Sequence, residues 1–224
     1  ITYGLLGFSY SSVGNSLSAE SSYRMAILLD PETLDWKMGL ARSLFRQEKY
    51  PEAVTLTQQL LKQFPERADL WLLQANAYIG QNKPVKAAQI YELVDELGKS
   101  TVDTLNMLGD IYINEELYEL AVNSYIRAFK MNPKESLERA VRAAKVLSAR
   151  GALKQTSQLI AIIEKVGSTD ISTEIRKDLL KLQARIAVAQ GEGDEEVRVL
   201  KEIVQLDPRD GEALILLAQH SARN

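Results

Sequence analysis

Two arginines one helical turn apart, Arg42 and Arg46, flank Phe45. That combination suits a peptide carrying an apolar side chain and a carboxylate, because a guanidinium holds a carboxylate through two parallel hydrogen bonds. Phe8, Phe45, Leu72 and Ile79 are candidates for an apolar floor beside them. The competing reading buries Phe45 and Ile79 between structural units. Catalytic chemistry has less to work with. His220 is the only histidine and there is no cysteine, so nucleophilic and acid–base sites lack their usual partners. Gly191-Glu-Gly193 lacks the third glycine and preceding strand of a dinucleotide site and reads as a turn. No phosphate loop or zinc spacing occurs. The sequence reads as non-enzymatic, with no cofactor and no metal.

Composition bounds the rest. In 224 residues, 46% apolar content is ample for a core, so global disorder is not expected. A formal charge of −3 argues against a nucleic-acid partner, whose footprint is basic. No apolar run approaches the ~18 residues of a membrane-spanning helix, so direct membrane insertion is not expected. Ile1-Thr-Tyr-Gly-Leu-Leu-Gly7 starts inside a patterned stretch without an initiator methionine, and the sequence reads as an excised piece of a longer protein. Cytoplasmic and periplasmic placement both fit.

The pattern is clearest from Thr104 to Ala128. Leu105, Leu108, Gly109 and Tyr112 share one helical face, and Tyr118, Ala121, Tyr125 and Ala128 share another after a break at Asn114-Glu115-Glu116. Two amphipathic helices joined by a short polar turn cannot cover both faces alone, so they need neighbours. Pro31, Pro65 and Pro133 lie 34 and 68 residues apart, with Lys99 at the intermediate place. Leu6, Gly7, Tyr10, Gly14, Ala19, Tyr23 and Ala26 form a first unit. Leu40, Ala41, Leu44, Tyr50, Ala53 and Leu60 form a second, and Trp71, Ala75, Tyr78, Ala87, Tyr91 and Val94 a third. Beyond Pro133 the register shifts by one residue. Gly167-Ser-Thr-Asp-Ile-Ser-Thr173 then adds a loop and a lengthened first helix.

A 34-residue helix–turn–helix period with these residue types resembles the tetratricopeptide repeat family. The expected fold is all-α: a right-handed α-solenoid of about six such units plus one terminal helix. The units are 1–33, 34–67, 68–101, 102–136, 137–170 and 171–210, with the extra helix at 211–224. Gly7, Ala41, Ala75, Gly109 and Ala144 would let helices approach closely, and Tyr10, Tyr78 and Tyr112 would fill the wedges between units. The acids Asp35, Asp69, Asp103, Glu138, Asp178 and Glu212 fall in the first turn of each first helix, where the helix dipole favours an anion; the rival reading is a ladder of ligand carboxylates.

The resemblance implies a protein or peptide partner, held in a concave groove lined by first helices. Residues lying off the buried stripe of those helices are Phe8; Met38, Arg42, Phe45 and Arg46; Leu72, Asn76 and Ile79; Asn106, Asp110, Ile113 and Asn114; and Lys145, Lys181 and Arg185. Asn76 could hold a peptide backbone amide. Lys145, Lys181 and Arg185 make either a basic stripe for an acidic ligand or a solvated charged face. The family's chaperone-tail clamp is not expected, because Gly4, Phe8, Met38 and Gly39 stand where lysine and asparagine would be needed. Apolar residues at both ends (Ile1, Tyr3, Leu5, Leu6; Leu214 to Leu217) suggest further units or self-association. Two further roles fit: a scaffold segment of a larger bacterial envelope, export or polysaccharide-secretion protein, and a substrate-recruiting arm of a larger enzyme.

Overall fold

The structure, a computed structural model, describes residues 2–167 and 171–223. Among the described residues there are thirteen α-helices and no strand. They are α1 (Thr2–Ser12), α2 (Ser16–Leu29), α3 (Leu34–Arg46), α4 (Tyr50–Leu61), α5 (Ala68–Gly80), α6 (Pro84–Glu96), α7 (Val102–Asn114), α8 (Tyr118–Met131), α9 (Pro133–Ala149), α10 (Leu153–Gly167), α11 (Thr173–Gln190), α12 (Gly193–Leu206) and α13 (Gly211–Arg223). Successive helices pair as expected for a helical-repeat array. The chain divides into two compact parts, Ile1–Ser100 and Thr101–Asn224. In the first, α1, α3 and α5 are neighbours, and in the second each of α7, α9 and α11 touches the next.

Local chemistry sets the boundaries. Thr101 and Thr104 form a reciprocal capping box at the start of α7, and Asn15, Asn132 and Ser172 cap α2, α9 and α11 through their side chains. Each first helix ends in a turn closed by one residue with positive φ: Gly14, Glu48, Asn82, Glu116, Gly151 and Gly191. The break read at 114–116 is this turn. Asn132 closes α8 and caps α9 at once, so Pro133 starts α9 immediately. That helix is 17 residues long, and α11 is 18. Glu135 and Glu174 therefore occupy their first turns, and the expectation that Glu138 and Asp178 sit there is corrected. Part of the expected loop, 168–170, lies outside the described residues.

The core depends on how second helices fill the space between first helices. The eighth residues of the six second helices are Tyr23, Thr57, Tyr91, Tyr125, Ile160 and Leu200, all buried. The Tyr23 ring lies against Gly7 of α1 and Gly39 of α3, where an added Cβ would come within 2.8 and 2.3 Å of ring carbons. A Cβ on Gly109 of α7 would meet the Tyr125 ring at 2.7 Å. Real Cβ contacts do not go that close, so the glycines are spacers. Ala19, Ala53, Ala87 and Ala121 are fully buried on the opposing face. Gly109→Leu forces the Tyr125 ring out of its slot. It should cost at least ~1–3 kcal/mol and lower the thermal midpoint; an unchanged melting curve would contradict this packing.

One buried charge ties α2 to the turn after α3. Glu20 is 9% exposed. Its carboxylate accepts hydrogen bonds from Lys49 Nζ, Arg24 Nε and Gln47 Nε2, each at 2.8 Å. Burial raises its pKa, but the donors Lys49, Arg24 and Gln47 together outweigh that and hold it at about 2, against an ordinary 4.5. The folded value lies below the unfolded one, so this stabilisation is present above pH 4.5 and is lost as the pH falls towards 2. Acid titration of unfolding free energy should show a loss of about 2–3 kcal/mol across that window. Glu20→Gln should remove this share of the acid sensitivity; a variant with the same acid profile would contradict it.

Candidate partner-binding face

In the N-terminal part the off-stripe positions divide into surface and core. Phe8 is 65% exposed on α1, and Arg42 and Asn76 are exposed at the equivalent places of α3 and α5. Phe45, Leu72 and Ile79 are half-buried, with Phe45 edge-on to Tyr50 at 5.5 Å between centroids. Arg46 donates to the Ser11 carbonyl at 2.8 Å and its hydroxyl at 3.1 Å, which caps the last turn of α1. Arg42 lies 3.9 Å from Asp69, which is already held by two 2.8 Å bonds from Arg67. The Arg67 hydrogen bonds keep the Asp69 carboxyl below its usual range. Asn76 Oδ1 accepts from the Tyr91 hydroxyl at 2.7 Å. Burial pushes the Tyr91 phenol up to about 12.

Met38 corrects the expectation. It is 4% exposed and packs with Leu60, Leu61 and Leu70, because α5 closes over that side of α3. Asn106, 3% exposed, and Ile113 are likewise buried and offer no surface to a guest. Asn114 is exposed.

In the C-terminal part the first helices are joined by ion pairs. Asp110 on α7 accepts from the Tyr125 hydroxyl and pairs with Arg139 on α9. Burial, with the neighbouring Asp110 second, pushes the Tyr125 phenol far up. Lys145 on α9 meets Asp178 on α11 at 2.6 Å. Lys181 on α11 meets Asp210 at 3.0 Å and Glu212 of α13 at 3.1 Å, and hydrogen bonds to these two acids raise its pKa. Lys177 adds Asp207 at 2.8 Å. The expected basic stripe is therefore neutralised at Lys145 and Lys181 by the chain's own acids. Arg185 is exposed and makes no ion pair among the described residues. Asp69, Asp178 and Glu212 thus have a task that neither sequence reading gave them: each faces a cation of the preceding first helix. Arg139 and Lys177 were missed altogether. Their partners lie about thirty residues away, so only superposing successive repeats would have exposed them.

No cluster of histidine, cysteine or carboxylate residues among the described residues could hold a metal ion. No described helix is long and apolar enough to cross a membrane. Sequence models of the tetratricopeptide repeat match residues 7–57, 38–100 and 102–135. The chain belongs to the tetratricopeptide repeat family. Solved structures agree in fold. A tetratricopeptide repeat protein from Parabacteroides merdae superposes with a TM-score of 0.60 at 18% identity, covering 98% of both chains. The C-terminal part of a repeat protein from Cytophaga hutchinsonii gives 0.67 at 13% identity, over 95% of this chain and 85% of that one. YrrB, described as a TPR protein with an unusual peptide-binding site, gives 0.58 at 17% identity, over 90% of this chain and 98% of that one. Among curated sequences the chain is 26% identical over 148 residues to human protein O-mannosyl-transferase TMTC3, covering 59% of this chain. It is also 26% identical over 127 residues to intraflagellar transport protein 70A of Xenopus laevis, covering 57%. It spans only 16% and 19% of those relatives' lengths. Tetratricopeptide repeats indicate a protein–protein interaction or scaffold module, and the fold is generally a non-catalytic one.

Proposed function

We propose that this chain is a non-catalytic interaction module that binds an extended peptide or partner segment across the first helices of its N-terminal part. The observation that supports the reading is the row Phe8, Arg42 and Asn76, exposed at equivalent places on the neighbouring helices α1, α3 and α5 above half-buried Phe45, Leu72 and Ile79. Arg42 is the cation a guest carboxylate would meet. Its own contact to Asp69 is long, and Asp69 loses little when Arg42 turns away because Arg67 already holds it. The carbonyl oxygen of Asn76 is engaged by Tyr91, which leaves its amide nitrogen to donate to a peptide carbonyl. Phe8 supplies apolar contact beside them. YrrB, similar in fold, is described as having an unusual peptide-binding site, which supports the reading.

Asn76→Ala takes the acceptor from the buried Tyr91 hydroxyl and should lower the melting temperature somewhat, so affinities are compared well below the midpoint of both proteins. Charge-assisted hydrogen bonds contribute about 1.5–3 kcal/mol, so a partner captured by the parent protein should bind the double variant at least tenfold more weakly. Unchanged affinity for that partner would contradict the assignment.

A further inference from the structure

The sixth helix pair departs from the rule followed by the third and fourth. In those two, the eighth residue of the second helix is a tyrosine whose hydroxyl reaches the first-helix residue fifteen places earlier, Tyr91 to Asn76 and Tyr125 to Asp110. The same spacing in the sixth pair joins Leu200 to Arg185. Leucine stops short of the phenol's place, and arginine takes the place of the acceptor. An open cleft of about 290 Å³ lies there, between α11, α12 and α13. Its walls are apolar: Ala184, Leu200, Ile203 and Leu216. It opens past Val188, which is 57% exposed, and Arg185 stands at the mouth.

We infer that this cleft takes an aromatic side chain from a partner peptide, with a carboxylate next to it bound by Arg185. The inference rests on the reading of this chain as a peptide-binding module and gives its C-terminal part a ligand chemistry of its own. Three observations carry it. The chain itself buries an aromatic ring at the corresponding place in three other helix pairs, at Tyr23, Tyr91 and Tyr125. The cleft is large enough, since an apolar cavity of roughly 150 Å³ already admits benzene. The charges at the mouth then select the neighbour. Lys181 is balanced by Asp210 and Glu212, and Glu196, which also lines the cleft, sits in the first turn of α12, where the helix dipole favours an anion. Of the two cations that line the cleft, Arg185 is the one with no ion pair among the described residues, and as a donor only it suits a carboxylate better than a phenol.

The test uses three blocked tetrapeptides, Gly-Phe-Asp-Gly, Gly-Ala-Asp-Gly and Gly-Phe-Asn-Gly, titrated against the whole chain with methyl NMR as the readout. The first should move the methyl signals of Val188, Leu200 and Leu216 saturably. The alanine peptide should bind at least tenfold more weakly, and the asparagine peptide severalfold more weakly. Arg185→Gln should abolish the Asp-over-Asn preference while keeping the preference for phenylalanine. Leu200→Tyr plugs the cleft from inside and should weaken the first peptide at least tenfold. Val188→Asp, a change at an exposed position that folding tolerates, should weaken it as well. If Gly-Phe-Asp-Gly moves no cleft methyl, or binds both variants like the parent, the inference is overturned. A partner whose affinity falls with Arg42→Glu and Asn76→Ala but ignores both Leu200→Tyr and Val188→Asp would overturn the cleft alone and leave the wider reading standing.

Discussion

A helix pair in this chain cannot cover its own apolar faces, and the side chain at the eighth place of each second helix is buried, reaching the next pair's first helix at Tyr23 and Thr57. That side chain must cross from the second-helix layer into the seam of the first helices. Its size sets how far apart those helices can stand. Around Tyr23 and Tyr125 the facing helices carry glycine, Gly7 and Gly39 in the first case and Gly109 in the second, while at Tyr91 the equivalent place holds Ala75. At the three glycines the ring takes the place that a methyl would need. Where it is Thr57, buried Gln74 reaches in from the next first helix, its Nε2 3.4 Å from the threonine hydroxyl. Where it is Leu200, nothing from the described chain completes the space. The size of this side chain goes with the glycines beside Tyr23 and Tyr125 and with the cleft beside Leu200.

The hydroxyls that emerge from this packing meet a second layer of interactions on the first-helix face. Tyr91 and Tyr125 deliver theirs to Asn76 and Asp110, and Asp110 passes on to Arg139. Lys145, Lys177 and Lys181 continue the sequence of cations facing acids of the following helix. The groups of these ion pairs are partly exposed, from 29% at Lys177 to 72% at Glu212, so each pair adds little stability by itself. Their consequence is selective. In the C-terminal part they engage Arg139, Lys145, Lys177 and Lys181 and leave Arg185 without an ion pair among the described residues, whereas in the N-terminal part Arg42 keeps only a 3.9 Å contact to Asp69.

Much of this was readable from residue types alone. A 34-residue recurrence of Gly or Ala with Tyr marks close helix approach, and the polar break at Asn114-Glu115-Glu116 marks the end of α7, with Glu116 at positive φ in the turn that follows. Side-chain placement was less legible. Met38 and Leu72 occupy equivalent places, yet one is buried and the other half-exposed, because exposure there depends on the neighbouring repeat and not on the helix's own period. Glu138 and Asp178 were misplaced because capping by Asn132 and Ser172 starts α9 and α11 earlier than a strict repeat allows. The ion pairs were hidden because each joins residues about thirty positions apart.

The wedge rule can be tested by rebuilding it where it is missing. Arg185→Asn with Leu200→Tyr gives the sixth helix pair the residues that the third already has, Asn76 and Tyr91. Burying a phenol in the vacant cleft should add about 1–2 kcal/mol, which for a chain of this size raises the melting temperature by several degrees. A double variant that melts below the parent would show that the eighth-place side chain does not set the helix spacing.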